Sequence, residues 1–417
     1  MKRECLKVFA WLFVVVFAMF SVLASSAMAV EEKPSGEPIL VGLPVPVTGL
    51  MAADGAEMIN GAVMAVEEIN AKGGVLGRPL EAVPMDTKES QVHILRKVAG
   101  ELADKGVDVN VTAYLMGPMD VHAFGRYPMP YLHADTQWTS TKAVMDNLPD
   151  YNNVFAIDPN EKSYGPNGFI NMTKMIPHDH KNKTIAILTT SFIYAKNISR
   201  SLRDVVEENG WRIVSDTDHK LGTTEYGVEL SEIRAANPDI IFFSTHLPAE
   251  AIAFMNQFLT QPTHSLIYIQ YCPNIPEFRE QLGPKANGVL WQTLIGYLPD
   301  KKGLAWVERY KKRFGNAPGY TAACNTYDAI HIWAAAVKAV GDSKNYAKVN
   351  DYILNNPYNG IAGTYRFNPK TQEAINGNVG KGIPNQFFQI QNGEQVLLVL
   401  GTEPTDAVFQ TPPWFIK

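Results

Sequence analysis

Apolar residues along this chain fall into short blocks separated by longer stretches of helical spacing. Ile39-Leu40-Val41-Gly42-Leu43, closed by Pro44, predicts a first strand. From about Asp54 to Asn70, Ala56, Ile59, Val63, Val66 and Ile69 recur near helical spacing, which predicts an amphipathic helix that Gly73-Gly74 ends. The alternation continues with strands at 80–85, 107–115 and 129–133 and a helix over 92–105. A second series begins after Asn153, where strands at 184–190, 211–217, 239–244 and 266–270 interleave with helices at 198–209, 226–236 and 249–259. Strand–helix–strand units of this length imply parallel pairing and an α/β fold of two doubly wound, Rossmann-like lobes. Beyond Gly288-Val289-Leu290-Trp291 the pattern turns helical at 304–314 and 321–340, with a short helix from Lys348, and ends in strand-like runs at 363–367, 387–390 and 395–400. A mixed tail of this kind fits a chain that crosses back between lobes.

The first 29 residues differ in kind. Lys2, Arg3 and Lys7 precede the apolar run Val8 to Leu23, and Ala27-Met28-Ala29 supplies the small-x-small exit of a cleaved export signal; a retained membrane anchor is the competing reading. No second run of spanning length follows, so a soluble, exported mature chain is expected. With 417 residues, 46% of them apolar, there is material for about two domains. Loss of the leader removes three positive charges and one negative, taking the balance from −5 to −7. That mild acidity, without a basic stripe, argues against nucleic acid as a partner. Cys5 leaves with the leader, and Val30 rather than a cysteine follows Ala29, so no lipid attachment point is expected there. An oxidising compartment permits a bridge between the remaining Cys272 and Cys324, which the sequence leaves open.

Signatures of catalysis are weak. Gly73-Gly74-Val75-Leu76-Gly77 follows a helix, whereas a dinucleotide loop follows a strand, so it reads as a turn. His178 and His180 lie in a polar turn without the spacing of a helical zinc pair. No G-x-S-x-G elbow is present. Neither an enzyme, a metal nor a cofactor is therefore expected. Polar and aromatic residues instead gather after strands, where open α/β sheets bind ligands. Asp54 could cap the first helix; Ala134, Thr136 and Trp138 follow the strand at 129–133; Tyr194 follows 184–190; and His246 follows 239–244.

These residues carry a resemblance. Ile39-Leu40-Val41-Gly42, Val47-Thr48-Gly49, Asp54-Gly55 and Asn60-Gly61-Ala62 through Gly73-Gly74-Val75-x-Gly77-Arg78 resemble the opening of the Leu/Ile/Val-binding proteins of ABC importers. Val154-Phe155, Tyr194, Pro238-Asp239-Ile240-Ile241, Tyr327-Asp328-Ala329 and Gly363-x-Tyr365-x-Phe367-Asn368 extend it over essentially all of the mature chain. The resemblance implies a type I periplasmic-binding-protein fold, two lobes joined by three crossings with the ligand between them. It places 37–156 plus 294–362 in lobe one and 157–293 plus 363–417 in lobe two. It further implies a monomer that captures a small solute by hinge closure and hands it to an ABC permease. The alternatives are a sensor of the same fold and, more weakly, an exported hydrolase.

By the same resemblance, Ala134 and Thr136 match the amide and hydroxyl that hold an amino acid's carboxylate. Tyr194 matches a tyrosine that closes over the ligand, His246 takes the place of a second aromatic, and Asp54 falls where an aromatic usually packs. Two departures bear on the ligand. The serine-bearing stretch reads Tyr114-Leu115-Met116-Gly117-Pro118, which makes Tyr114 and Gly117 its candidates. The acid that pairs with the α-ammonium is replaced around Tyr271 and Cys272. An ammonium buried without a counter-charge costs several kcal/mol. Either Asp54 takes over that role, or the ligand is an amide or a small aromatic or aliphatic carboxylate rather than a simple α-amino acid.

Overall fold

In a computed structural model the chain is described over residues 33–416, apart from Leu50, Glu89 and Met116. The export signal expected at 1–29 lies outside the described residues. Lobe one is built on β1 (Ile39–Val45), β2 (Leu80–Asp86), β3 (Val109–Val111), β4 (Tyr131–His133) and β5 (Val154–Ala156), all parallel and ordered β2-β1-β3-β4-β5. Its helices include α1 (Ala52–Ala71), α2 (Val92–Asp104), α3 (Met119–Phe124) and α4 (Trp138–Asp146). The chain then crosses over, and α5 (Tyr164–Ile170) opens lobe two.

Lobe two repeats the same winding. Strands β6 (Thr184–Thr190), β7 (Arg212–His219), β8 (Ile240–Ser244), β9 (Leu266–Ile269) and β10 (Leu290–Thr293) run parallel in the order β7-β6-β8-β9-β10. Helices α6 (Ile193–Glu208), α7 (Gly227–Ala236), α8 (Pro248–Phe258) and α9 (Pro276–Leu282) connect them. The chain returns to lobe one for α10 (Lys301–Phe314), α11 (Ala322–Val340) and α12 (Tyr346–Asn355), then a hairpin of β11 (Tyr358–Asn359) and β12 (Thr364–Tyr365). Finally β13 (Gln386–Gln391), β14 (Glu394–Leu400) and β15 (Glu403–Pro404) extend the second sheet antiparallel from β10.

Burial explains the elements. Every residue of β6 and β8 is buried, the near-continuous apolar run of a strand covered on both faces by helices. In lobe one Trp306 of α10 and Trp333 of α11 pack with Ile39, Val41 and Leu43 of β1, and the Thr326 hydroxyl of α11 donates to the Met58 carbonyl of α1 at 2.8 Å. Buried Asp328 of α11 accepts from the Ile361 and Ala362 amides at 2.9 and 3.1 Å and from the Tyr365 hydroxyl at 2.8 Å, which fixes the hairpin segment on this lobe. Tyr365, Phe367, Ala374 and Ile383, in a segment expected with lobe two, belong to this first core.

The structure differs from the sequence pattern in three further ways. Helices α3, α4 and α5 are too short for their periodicity to show. The helix expected from 198 starts at Ile193, because Tyr194, Ala195, Ile198, Leu202 and Val206 form one continuous buried face. Asp54 is not the helix cap: Met51 precedes the first turn and Asp54 lies within it, where a carboxylate still meets the positive end of the helix dipole. Cys272 and Cys324 are free, each buried in a different lobe core.

Candidate functional site

Both sheets reverse their strand order between the first and third parallel strands, and such a switch point opens a crevice at the strand C-termini. In lobe one the crevice lies beyond β1 and β3, the strands that lead to Asp54 and Tyr114. In lobe two it lies beyond β6 and β8, which lead to Phe192, Tyr194 and His246. The two fourth strands, β4 and β9, end in Ala134–Thr136 and Tyr271. The shared topology thus brings the site residues inferred from sequence into three groups.

The first group spans the lobes. The Tyr114 hydroxyl donates to Asp54 Oδ1 at 2.5 Å and lies 3.0 Å from the Tyr271 hydroxyl, itself 3.5 Å from the same carboxylate oxygen. Gly55 makes this placement feasible, since a Cβ there would collide with the Pro46 carbonyl and push the start of α1 off the β1 loop. Tyr271 has φ 66° and ψ −53°, and the Cys272 amide donates to the Gln270 carbonyl at 2.8 Å. That is a γ-turn with positive φ, a strained conformation that costs on the order of 1–3 kcal/mol and aims the side chain across the cleft. Burial pushes the Asp54 carboxyl above its usual range, although the two tyrosine hydroxyls pull it back. One turn on, Glu57 accepts from the Gly319 amide at 2.6 Å; burial raises it to about 7, with that amide opposing and Asp54 adding to the rise.

The second group surrounds the β4 loop and is closed on itself. Asp135 accepts from the Leu115 amide at 3.0 Å and the Ser140 hydroxyl at 3.1 Å, with His133 Nδ1 3.3 Å away. The Ala134 amide donates to the Ala113 carbonyl, and the Thr136 hydroxyl to the Asp135 carbonyl at 2.8 Å. Thr136 has φ 50°. Gly117 is required against this loop, because a Cβ there would strike the Ser140 hydroxyl and Asp135. The Trp138 amide donates to buried Glu161 in the first crossing, and the Lys162 ammonium lies 3.4 Å from the Trp138 ring centroid. Glu161 also accepts from Asn197 of α6 at 2.6 Å, which ties lobe one to lobe two through the hinge; burial raises it to about 7 against these donors.

Asp120, His133 and Asp135 place ligating atoms within 4.8 Å of one another, the one spacing suited to a cation among the described residues. Their electrostatic effects offset one another. Burial drives Asp120 well above the usual carboxylate range. Burial would also raise Asp135, but His133 and the donors around it hold it low, and Asp135 in turn raises His133 despite burial. Asp120 is thus pushed up while Asp135 is held low beside a raised His133.

The third group lines lobe two. His246 packs 4.8 Å from Phe192 and 6.5 Å from Tyr194, centroid to centroid, and Gln270 donates to the Tyr194 hydroxyl at 3.4 Å. Beneath it, buried Glu250 accepts from Thr190 at 2.5 Å and Thr245 at 2.6 Å, holding the ends of β6 and β8 together. Cys272 lies in the lobe core, its thiol 3.7 Å from the Thr245 carbonyl. Glu57, Glu161 and Gln270 were missed from sequence. Only Glu57 carried a local signal, one helical turn from Asp54 on the same face.

No helix among the described residues is long and apolar enough to cross a membrane. Residues 38–378 match the family model described as periplasmic binding protein. A crystal structure from Silicibacter pomeroyi, assigned as a branched-chain amino acid ABC transporter, is 31% identical with a TM-score of 0.85, covering 91% of this chain and all of that one. The Leu-, Ile-, Val-, Thr- and Ala-binding protein of Pseudomonas aeruginosa is 22% identical over 84% of this chain and 91% of its own. The isoleucine complex of LivJ from Streptococcus pneumoniae shares the fold at 22% identity, with a TM-score of 0.72 over 87% of this chain and all of that one.

Proposed function

The chain belongs to the periplasmic binding protein family, of the Leu/Ile/Val-binding kind, and from that premise we propose that it is the solute-binding component of an ABC importer. The family is one of solute-binding proteins that work outside the cytoplasm, not a family of enzymes. On this reading the leader is cleaved near Ala29 and the mature monomer diffuses in the periplasm. It captures an amino acid or related small polar solute and delivers it, unaltered, to a membrane permease.

The observation that carries the proposal is the cross-lobe cluster of Asp54, Tyr114 and Tyr271. Asp54 and Tyr114 belong to one sheet's switch point and Tyr271 to the other lobe, so the contacts of Tyr271 with that pair require closed lobes. A ligand that binds these groups binds the closed form better than the open one, and that differential affinity shifts the population. The lobe division we adopt follows packing: 37–156 with about 294–383 as lobe one, and 157–293 with the remainder as lobe two.

A thermal-shift panel of amino acids, their amides and small carboxylates, followed by X-ray scattering with each hit, tests the function. At about 100 times its Kd a ligand adds about 2.7 kcal/mol of stability. The expected result is at least one solute that raises the melting temperature and contracts the particle. A hit that is chemically converted, or a particle of fixed dimensions with every hit, contradicts it.

A further inference from the structure

Recognition of a free α-amino acid needs two opposite features, an acceptor for the ammonium and donors for the carboxylate. The cleft carries the first. Asp54 presents its carboxylate at the closing edge, where it meets Tyr271 in the stretch expected to hold the family's acid. The counter-charge has in effect moved from lobe two to lobe one. Tyr114, Tyr271, Phe192 and Tyr194 add aromatic surfaces, which attract a cation by their negative faces and accept an apolar body by burial.

The second feature has been taken over by the chain itself. Donors beside the β4 loop serve internal acceptors: the Leu115 amide and Ser140 hydroxyl go to Asp135, the Ala134 amide to Ala113, and the Trp138 amide to Glu161. Asp135 is an internal carboxylate on donors of the kind a ligand carboxylate would use. An incoming anion would have to displace it. Lys162, beside this loop, lies on the face of Trp138.

We infer that the ligand presents a protonated amine to Asp54 and brings no free carboxylate to the β4 loop, which makes it a primary amine of the amino-acid amide class. This rests on the solute-binding reading above and narrows it.

The test is a set of matched ligands titrated calorimetrically into the mature chain. Leucinamide, leucine and 4-methylpentanoate share one body, as do phenylalaninamide, phenylalanine and 3-phenylpropionate. In the favoured series the amide binds about ten-fold or more tighter than the free amino acid, and the deaminated acid is weakest. Asp54→Asn erases the amide's advantage while the unliganded melting temperature stays within a degree or so, since the buried carboxylate is not a stabilising charge. A tighter free amino acid or deaminated acid, with the particle still contracting, overturns the inference and leaves solute binding standing; dependence of that preference on Lys162 would identify the anion's partner. Binding of other solutes but of no amide overturns it equally. Absence of any binding removes both readings.

Discussion

The loops after the fourth strand of each lobe occupy equivalent places in the same winding and behave in opposite ways. After β4, Ala134–Thr136 turns inward, and its polar groups are consumed by Ala113, Leu115, His133 and Ser140. After β9, Tyr271 stands at the apex of a strained γ-turn and reaches across the cleft to Tyr114 and Asp54. Each loop holds one non-glycine residue at positive φ, Thr136 at 50° and Tyr271 at 66°. Backbone strain alone therefore does not mark the ligand-facing loop. What distinguishes the two is whether the polar atoms beyond the strained residue are satisfied within their own lobe.

The largest expected effect breaks the inward loop. Asp135→Ala strips the acceptor from the Leu115 amide and the Ser140 hydroxyl and leaves buried His133 without its carboxylate partner, which costs about 3–5 kcal/mol. Denaturant unfolding measures this, and a loss below about 1 kcal/mol would mean that the group is not the internally balanced unit described.

The next effect concerns pH. Glu57 and Glu161 keep their protons up to about 7 in the folded chain and release them near 4.5 when unfolded. Between these values the folded state binds more protons, so stability falls as pH rises through the window, by on the order of 3 kcal/mol for each group. Asp54, raised by burial, has the same sign. Asp135 and Glu250, held low, have the opposite sign and lose stability below the usual carboxylate range. The unliganded melting temperature should peak near pH 5 and decline toward pH 8. Glu161→Gln should flatten that decline, and a profile rising from pH 5 to pH 8 would contradict the assignment.

The smallest effect sharpens the outward loop. Tyr271→Phe keeps the ring and removes the hydroxyl that meets Tyr114 and Asp54, at a cost of about 1 kcal/mol in closure and hence about five-fold in ligand affinity. Unliganded stability should barely move. Equal losses in affinity and in unliganded stability would instead return Tyr271 to a packing role.

Much of the fold was legible because each lobe alternates strands and helices long enough to show their periods. The misses share a cause. Helices α3, α4 and α5 contain too few turns for a stripe, and the start of α6 was hidden because Phe192-Ile193-Tyr194 reads as the continuation of a strand end. In the site, Asp54, Tyr114 and Tyr271 could be nominated individually, yet their meeting joins residues 157 and 217 positions apart. The occupied state of the β4 loop was invisible for the same reason. The resemblance marked Ala134 and Thr136 as donors, and only the folded chain shows Ala113 and Asp135 already receiving them.

A crystal structure of the mature protein grown with leucinamide tests the account most directly. The account predicts closed lobes, the ligand nitrogen about 3 Å from the Asp54 carboxylate beside Tyr114 and Tyr271, and Asp135 still bonded to Leu115 and Ser140. A ligand seated on the β4 loop with Asp135 displaced, or lobes that stay apart around it, would contradict it.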